Sequence, residues 1–172
     1  GIAVGDGLIL RTTNGGANWT VLTFPGNKLL DLHFLDANIG IAVGAAGLLK
    51  TTDGGVSWSA VNGSVGGNTA YLLSADTIFV GGSGIAESVN GGAYFLPQPS
   101  VPGSEAFNDL GFFNGTVGYA VGEDGRVRRT SSFGDPFPLN DASVLAIEQF
   151  PVNPCPDIFP VRVRVKNIGL YQ

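Results

Sequence analysis

Two aspartates raise the first chemical question. Asp31 and Asp109 stand 78 residues apart, at matching places in an internal repeat. Two carboxylates facing one cleft can serve as general acid and general base in glycoside hydrolysis, and inverting pairs stand about 6.5–9.5 Å apart. The competing reading is that both cap or flank a strand. His33 is the only histidine and shares a strand face with Asp31. One histidine and one carboxylate are too few for a metal site, so no metal is expected. Arg126, Arg128 and Arg129 form the densest positive cluster in the repeats. They suit a protein or acidic-glycan contact, or an exposed strand face balanced by Glu123 and Asp124. No serine–histidine–acid or cysteine–histidine grouping is evident beyond that single histidine. The recurring glycines lie at strand breaks with no helix after them, so no nucleotide or other cofactor is indicated.

The elements that must position these residues are short strands in a repeat. The stretch Ile41 to Val61 holds an apolar strand, a glycine break, a second strand, a polar turn and a strand opened by tryptophan. The pattern recurs at Ile2 to Leu22, at Ile78 to Gln98 and, more loosely, at Tyr119 to Asn140. Val4, Val43, Val80 and Val121 set the register, in steps of 39, 37 and 41 residues. A period near forty residues built from short strands is the pattern of propeller blades. Repeats are expected at 1–24, 28–61, 68–97 and 105–140, the first without its inner strand. Leu30, Leu32 and Phe34 are expected on one face of the strand Lys28 to Leu35. Phe24, Pro25, Gly26 and Asn27 are expected to break the ladder, because proline cannot donate to it. The fold class is therefore all-β: four-stranded antiparallel blades, about four of them, belonging to a larger propeller.

Residues 141–172 read differently. Pro151, Pro154 and Pro156 suit a stiff linker. Beyond them Val161, Val163 and Val165 alternate with Arg162, Arg164 and Lys166, a half-buried strand of β-sandwich type. Hydrophobic residues make up 44% of the 172-residue chain and charged residues 13%, enough apolar material for a sizeable core. A net charge of −5 disfavours a nucleic-acid partner. Cys155 is the only cysteine, so no intrachain disulfide can form. No apolar run reaches the ~18 residues of a membrane span. The chain opens inside a repeat and is expected to be a piece of a longer protein.

The polar turns carry a resemblance. Thr51-Thr52-Asp53-Gly54-Gly55-Val56-Ser57-Trp58 fits the Asp-box pattern of BNR repeats. Thr12 to Trp19 fits with Asn14 for the aspartate, and Ser88 to Phe95 with Asn90 and with Phe95 for the tryptophan. Thr130 to Phe137 is a decayed copy. With the Leu32 to Gly44 context, the chain resembles the repeats of photosystem II stability/assembly factor-like proteins. The resemblance implies a structural box: Asn14, Asp53 and Asn90 bond their own turns, Gly55 and Gly92 supply positive φ, and Trp19, Trp58 and Phe95 cover the turn and fill the gap between sheets. Val161 to Gly169 resembles the opening of an immunoglobulin-like bacterial module. Together these imply a non-enzymatic, exported binding or scaffolding module, extracellular or in the cell envelope, with a protein or glycan partner at His33 or the arginine cluster. The alternatives are an Asp-box glycoside hydrolase, of sialidase or xyloglucanase type, and a photosystem II assembly factor. No arginine stands at the start of an inner strand, where a sialidase would need three to converge.

Overall fold

The computed structural model describes residues 1–98, 106–113, 115–130, 142–149 and 161–167. All their regular structure is antiparallel strand, apart from one 3-10 turn at Glu123–Gly125. A six-stranded sheet holds β1 (Ile2–Val4), β2 (Asp6–Arg11), β3 (Thr20–Phe34), β4 (Gly40–Gly44), β5 (Gly47–Thr51) and β6 (Ser59–Ala60) in that order. A four-stranded sheet holds β7 (Thr69–Leu72), β8 (Ile78–Gly82), β9 (Gly84–Ser88) and β10 (Leu96–Pro97). A five-stranded sheet holds β11 (Phe107–Phe113), β12 (Val117–Gly122), β13 (Arg126–Thr130), β14 (Ala142–Gln149) and β15 (Val161–Asn167).

The six-stranded sheet contains two repeats because β3 is the outer strand of repeat 1 and the inner strand of repeat 2. Its first residues pair with β2 and its last with β4. Phe24 to Asn27 was expected to separate the two strands. Pairing does lapse there, between Thr23↔Leu8 and Lys28↔Asp6, but the strand runs through. Gly26, at φ 82°, takes up the irregularity without ending the strand. The strand expected at the end of repeat 4 falls in residues 131–141, outside the described residues. The strand expected to open a second module, β15, pairs along the whole of β14, and the start of β14 pairs with β13.

The core lies between successive repeats, in three layers. Ile9 of repeat 1 packs with Leu29, Ala42 and Leu49 of repeat 2. Ile41, Val43 and Leu48 of repeat 2 pack with Ala70, Leu72, Ile78 and Val80 of repeat 3. Phe79 and Ile85 of repeat 3 pack with Phe107, Leu110 and Ala120 of repeat 4. Repeats 2 and 3 are thus buried on both faces, which is why their second strands, IAV in β4 and IFV in β8, are continuous apolar runs. Fully burying one such side chain is worth about 1.5–3 kcal/mol.

The registers correct the spacing read from the sequence. Val43 faces Leu48 and Gly44 faces Gly47, but in repeat 3 Gly81 faces Ile85 and Gly82 faces Gly84. The hairpin of repeat 3 is one residue tighter. Gly81, not Val80, therefore takes the place of Val43, and Phe79 takes the place of Ile41. In repeat 4 that place belongs to Tyr119, which faces Arg129 as Ile41 faces Lys50. A one-residue slip exchanges the two faces of a strand, so Phe79 points toward repeat 4 while Ile78 and Val80 point back.

Candidate functional site

Asp31 and Asp109 are set by the same backbone device. Each follows a register shift on its inner strand, between Leu29 and Asp31 and between Phe107 and Asp109. The bulged residues are Leu30 and Asn108, and both are exposed. Leu30 was expected on one face with Leu32 and Phe34, but the bulge turns it out to solvent, 46% exposed. Downstream of the bulge Asp31 faces Val43 and Asp109 faces Val121, so the two aspartates occupy equivalent places. Thr69, facing Gly81, is their counterpart in repeat 3.

The structure gives the two aspartates different work. One oxygen of Asp31 accepts from the Leu32 amide at 2.8 Å. The other accepts from the Thr69 hydroxyl at 2.9 Å and the Ala70 amide at 3.1 Å. Two residues on, His33 Nδ1 accepts from the Leu72 amide at 3.2 Å, which requires the proton on Nε2. Its ring lies 3.9 Å, centroid to centroid, from that of Tyr71. Burial lowers the His33 pKa, and the Asp31 charge opposes that shift. Asp31 and His33 therefore satisfy the inner edge of β7, whose amides would otherwise lack acceptors. Tyr71 passes the contact on. Its hydroxyl donates to the Phe112 carbonyl at 3.4 Å, and its ring centroid is 5.2 Å from that of Phe112.

Asp109 is exposed and has no hydrogen-bond partner among the described residues. It lines an open groove of about 390 Å³ with Tyr71, Leu110, Gly111, Phe112, Phe113, Tyr119 and Val121. β7 covers the aspartate of repeat 2. The aspartate of repeat 4 stands beside exposed apolar side chains, with Phe113 at 72% and Tyr119 at 45%.

The polar turns share one bonding scheme. Thr51 Oγ1 accepts from the Gly55 amide at 2.9 Å and donates to Asp53 Oδ1 at 2.8 Å. The Asp53 carboxylate accepts from the Ser57 amide at 2.9 Å and the Ser57 hydroxyl at 2.6 Å. Thr12 with Asn14, and Ser88 with Asn90, repeat it: the hydroxyl accepts from Gly16 or Gly92 and the amide oxygen from Asn18 or Tyr94. Gly55 and Gly92 have φ of 78° and 96°, and a Cβ on either would stand 2.6 Å from Ile2 or Val61 of the preceding repeat. Trp58 is half-buried beside Ile9 and Leu29, its ring edge-on to Phe34 at 6.0 Å, and its Nε1 is buried without an acceptor. Trp19 is 45% exposed.

Sequence reasoning missed a cation that ties each turn to the repeat before it. Arg11 Nε donates to the Gly54 carbonyl at 2.9 Å. Lys50 Nζ donates to the carbonyls of Ala75, at 3.0 Å, and Gly91, at 3.4 Å. Both precede the first hydroxyl of their own turn, a spacing that was visible in the sequence. Glu87 and Arg129 hold that place in repeats 3 and 4, and the Glu87 carboxylate accepts instead from the Gln98 amide at 2.6 Å. This dissolves the arginine cluster as one exposed face. Arg128 is 1% exposed with its guanidinium 5.6 Å over the Phe107 ring, Arg126 is half-buried, and only Arg129 is exposed. Strand alternation sends Arg128 and Arg129 to opposite faces. Among the described residues no three of His, Cys, Asp and Glu gather as a metal site, and no helix is long and apolar enough to cross a membrane.

No protein-family model matches the chain, and no curated protein matches it. Solved structures do. YCF48 bound to a D1 peptide aligns with a TM-score of 0.58 at 20% identity, over 74% of this chain and 45% of that one. An ancestral GH74 enzyme aligns with a TM-score of 0.52 at 18% identity, over 84% of this chain and 23% of that one. The chain thus spans less than half the length of either. Identities this low speak to architecture alone, and the architecture they share with this chain is the β-propeller.

Proposed function

We propose that the chain is a non-enzymatic propeller module that binds a protein partner, built from Asp-box blades and working in an exported protein. The observation that carries the reading is the fate of Asp31. Its carboxylate is occupied by the Thr69 hydroxyl and the Ala70 amide, so the Asp31 and Asp109 pair is divided between a structural bond and a groove. A glycosidase needs both carboxyls free to reach one sugar. The exposed aromatic groove beside Asp109 has the character of a recognition surface, apolar with one polar anchor. That a propeller of similar fold has been solved with a peptide bound supports a peptide-like partner. The test is an array of overlapping peptides probed with the folded chain. Saturable binding to a defined subset is expected, and uniformly blank arrays would sink the reading. The rival, an Asp-box glycosidase, is favoured by the exposure of Asp109 and the likeness to a GH74 enzyme. Aryl-glycoside turnover that disappears in Asp109→Asn would establish it.

A further inference from the structure

We infer that one face of the sheet end formed by β13, β14 and β15 docks an acidic segment of the protein partner, through Arg126, Arg162, Arg164 and Lys166. The inference rests on the protein-binding reading and adds a surface apart from the groove beside Asp109. Six of the nine lysines and arginines lie from Arg126 to Lys166, and strand pairing brings four of them to one face. Arg162, Arg164 and Lys166 take alternate positions of β15, so they share a face. Ser143 stands opposite Lys166 on one side and opposite Arg126 on the other. Directly opposite residues share a face, so Arg126 joins the other three although it belongs to repeat 4. Arg128, next on that face of β13, is buried and takes no part. The only acid in the three strands is Glu148, opposite Arg162.

The opposite face of β15 carries Val161, Val163 and Val165. An element packed on this sheet gains by covering the valines and loses by covering unpaired cations. Whatever else packs there, the basic face is the one left for a partner. Spacing then selects the ligand. Like-facing positions on β15 repeat about every 6.6 Å, and the row from Arg126 to Lys166 spans about 9.5 Å. An extended segment with acids at alternate positions repeats at the same interval. A continuous polyanion fits less well, because Glu148 lies within the face and Glu123 and Asp124 lie in the turn beside β14. The net charge of −5 points the same way.

The probe is a fluorescein-labelled peptide alternating glutamate and valine, titrated against the full 172-residue protein by anisotropy. Saturable binding is expected, and the same peptide with glutamine for glutamate should not bind. Arg164→Gln combined with Lys166→Gln should weaken binding about tenfold, and Arg126→Gln alone about threefold. Arg129→Gln, exposed on the other face of β13, should change nothing. Circular dichroism checks the fold of each variant. Salt gives a reading that needs no variant: binding should weaken several-fold between about 50 and about 300 mM. Salt-insensitive binding, or an equal loss in Arg129→Gln, would overturn the inference. If Arg126→Gln leaves binding unchanged while the double variant removes it, β15 acts alone and the joined face is wrong. Tighter binding of oligothymidylate than of the peptide would give the face to nucleic acid and overturn it as well. If array peptides bind but the acidic ones do not, this face falls and the protein-binding reading survives. Blank arrays remove that reading, and the inference with it.

Discussion

Ile41, Phe79 and Tyr119 hold one place in three successive repeats, yet the first two are 0% exposed and the third is 45% exposed. Asp31 and Asp109 show the same contrast in polar form. The repeat fixes where a side chain stands, and the presence of a covering strand decides whether it is core or surface. A residue type repeated along a propeller therefore has no single role. Under β7 an aspartate and an isoleucine are structural, and on the face of β11 the matching aspartate and tyrosine are exposed.

Truncating the shared place should give the largest split. Phe79→Ala should cost about 3–5 kcal/mol and Ile41→Ala about 2–5 kcal/mol, whereas Tyr119→Ala should fall within about 0.5 kcal/mol of the parent. Urea unfolding of the three variants measures this. A large loss at Tyr119 would show that its face is already covered and would erase the contrast. The turns give a second split. Trp58→Ala should cost about 3 kcal/mol, because the indole packs on Ile9 and Leu29, and Trp19→Ala less than about 1 kcal/mol. Trp58→Phe should be nearly neutral, since it removes an Nε1 that has no acceptor and installs the residue that Phe95 already supplies in repeat 3. A loss for Trp58→Phe as large as for Trp58→Ala would mean that Nε1 is bonded.

The polar pair comes next. Asp31→Ala strands the Thr69 hydroxyl and the Ala70 amide and should cost about 1–3 kcal/mol, while Asp109→Ala should leave stability unchanged. Equal losses would mean that Asp109 is also bonded. His33 adds a pH dependence to the covered junction. Burial holds its folded pKa below the ordinary 6.5, so the neutral ring is the folded form. Its contribution is present in full above about 6.5 and is lost as pH falls from there through the folded value. The Leu72 amide resonance should shift over that range, and His33→Leu should flatten the fall in stability. An unmoved Leu72 signal would sever His33 from β7.

How much of this was legible in the sequence depended on the interaction. The repeat, its strands and the hydroxyl–amide scheme of the turns were readable, because turn chemistry is local and Thr51, Asp53, Gly55 and Ser57 are neighbours in the chain. The register of repeat 3 was not. Val43-Gly44 and Val80-Gly81 look alike, and only the tighter closure at Gly82 and Gly84 reveals the slip. The division between Asp31 and Asp109 was hidden for a different reason. Their spacing is regular, but the partners of Asp31 lie 38 and 39 residues away on the next repeat, where no local pattern announces them. Arg128 was hidden likewise, since Phe107, under its guanidinium, stands two strands away in the sheet.

The smallest effect separates the turns themselves. In repeat 2 the turn acceptor is a carboxylate, and in repeats 1 and 3 it is the amide oxygen of Asn14 or Asn90. The Ser57 hydroxyl, the Ser57 amide and the Thr51 hydroxyl, in that order, lower the Asp53 pKa from 3.8 to about 2. A depressed carboxylate contributes stability that is complete above its unfolded value and lost as pH falls through the folded one. The window therefore runs from about 3.8 down to about 2. In an amide-detected titration the Ser57 resonance should move with a midpoint near 2, while Asn18 and Tyr94, bonded to groups that do not titrate, stay still. Asp53→Asn should abolish the Ser57 transition and keep the turn. If Ser57 titrated near 4 instead, the short bonds around Asp53 would not persist in solution, and the three turns would differ in more than charge.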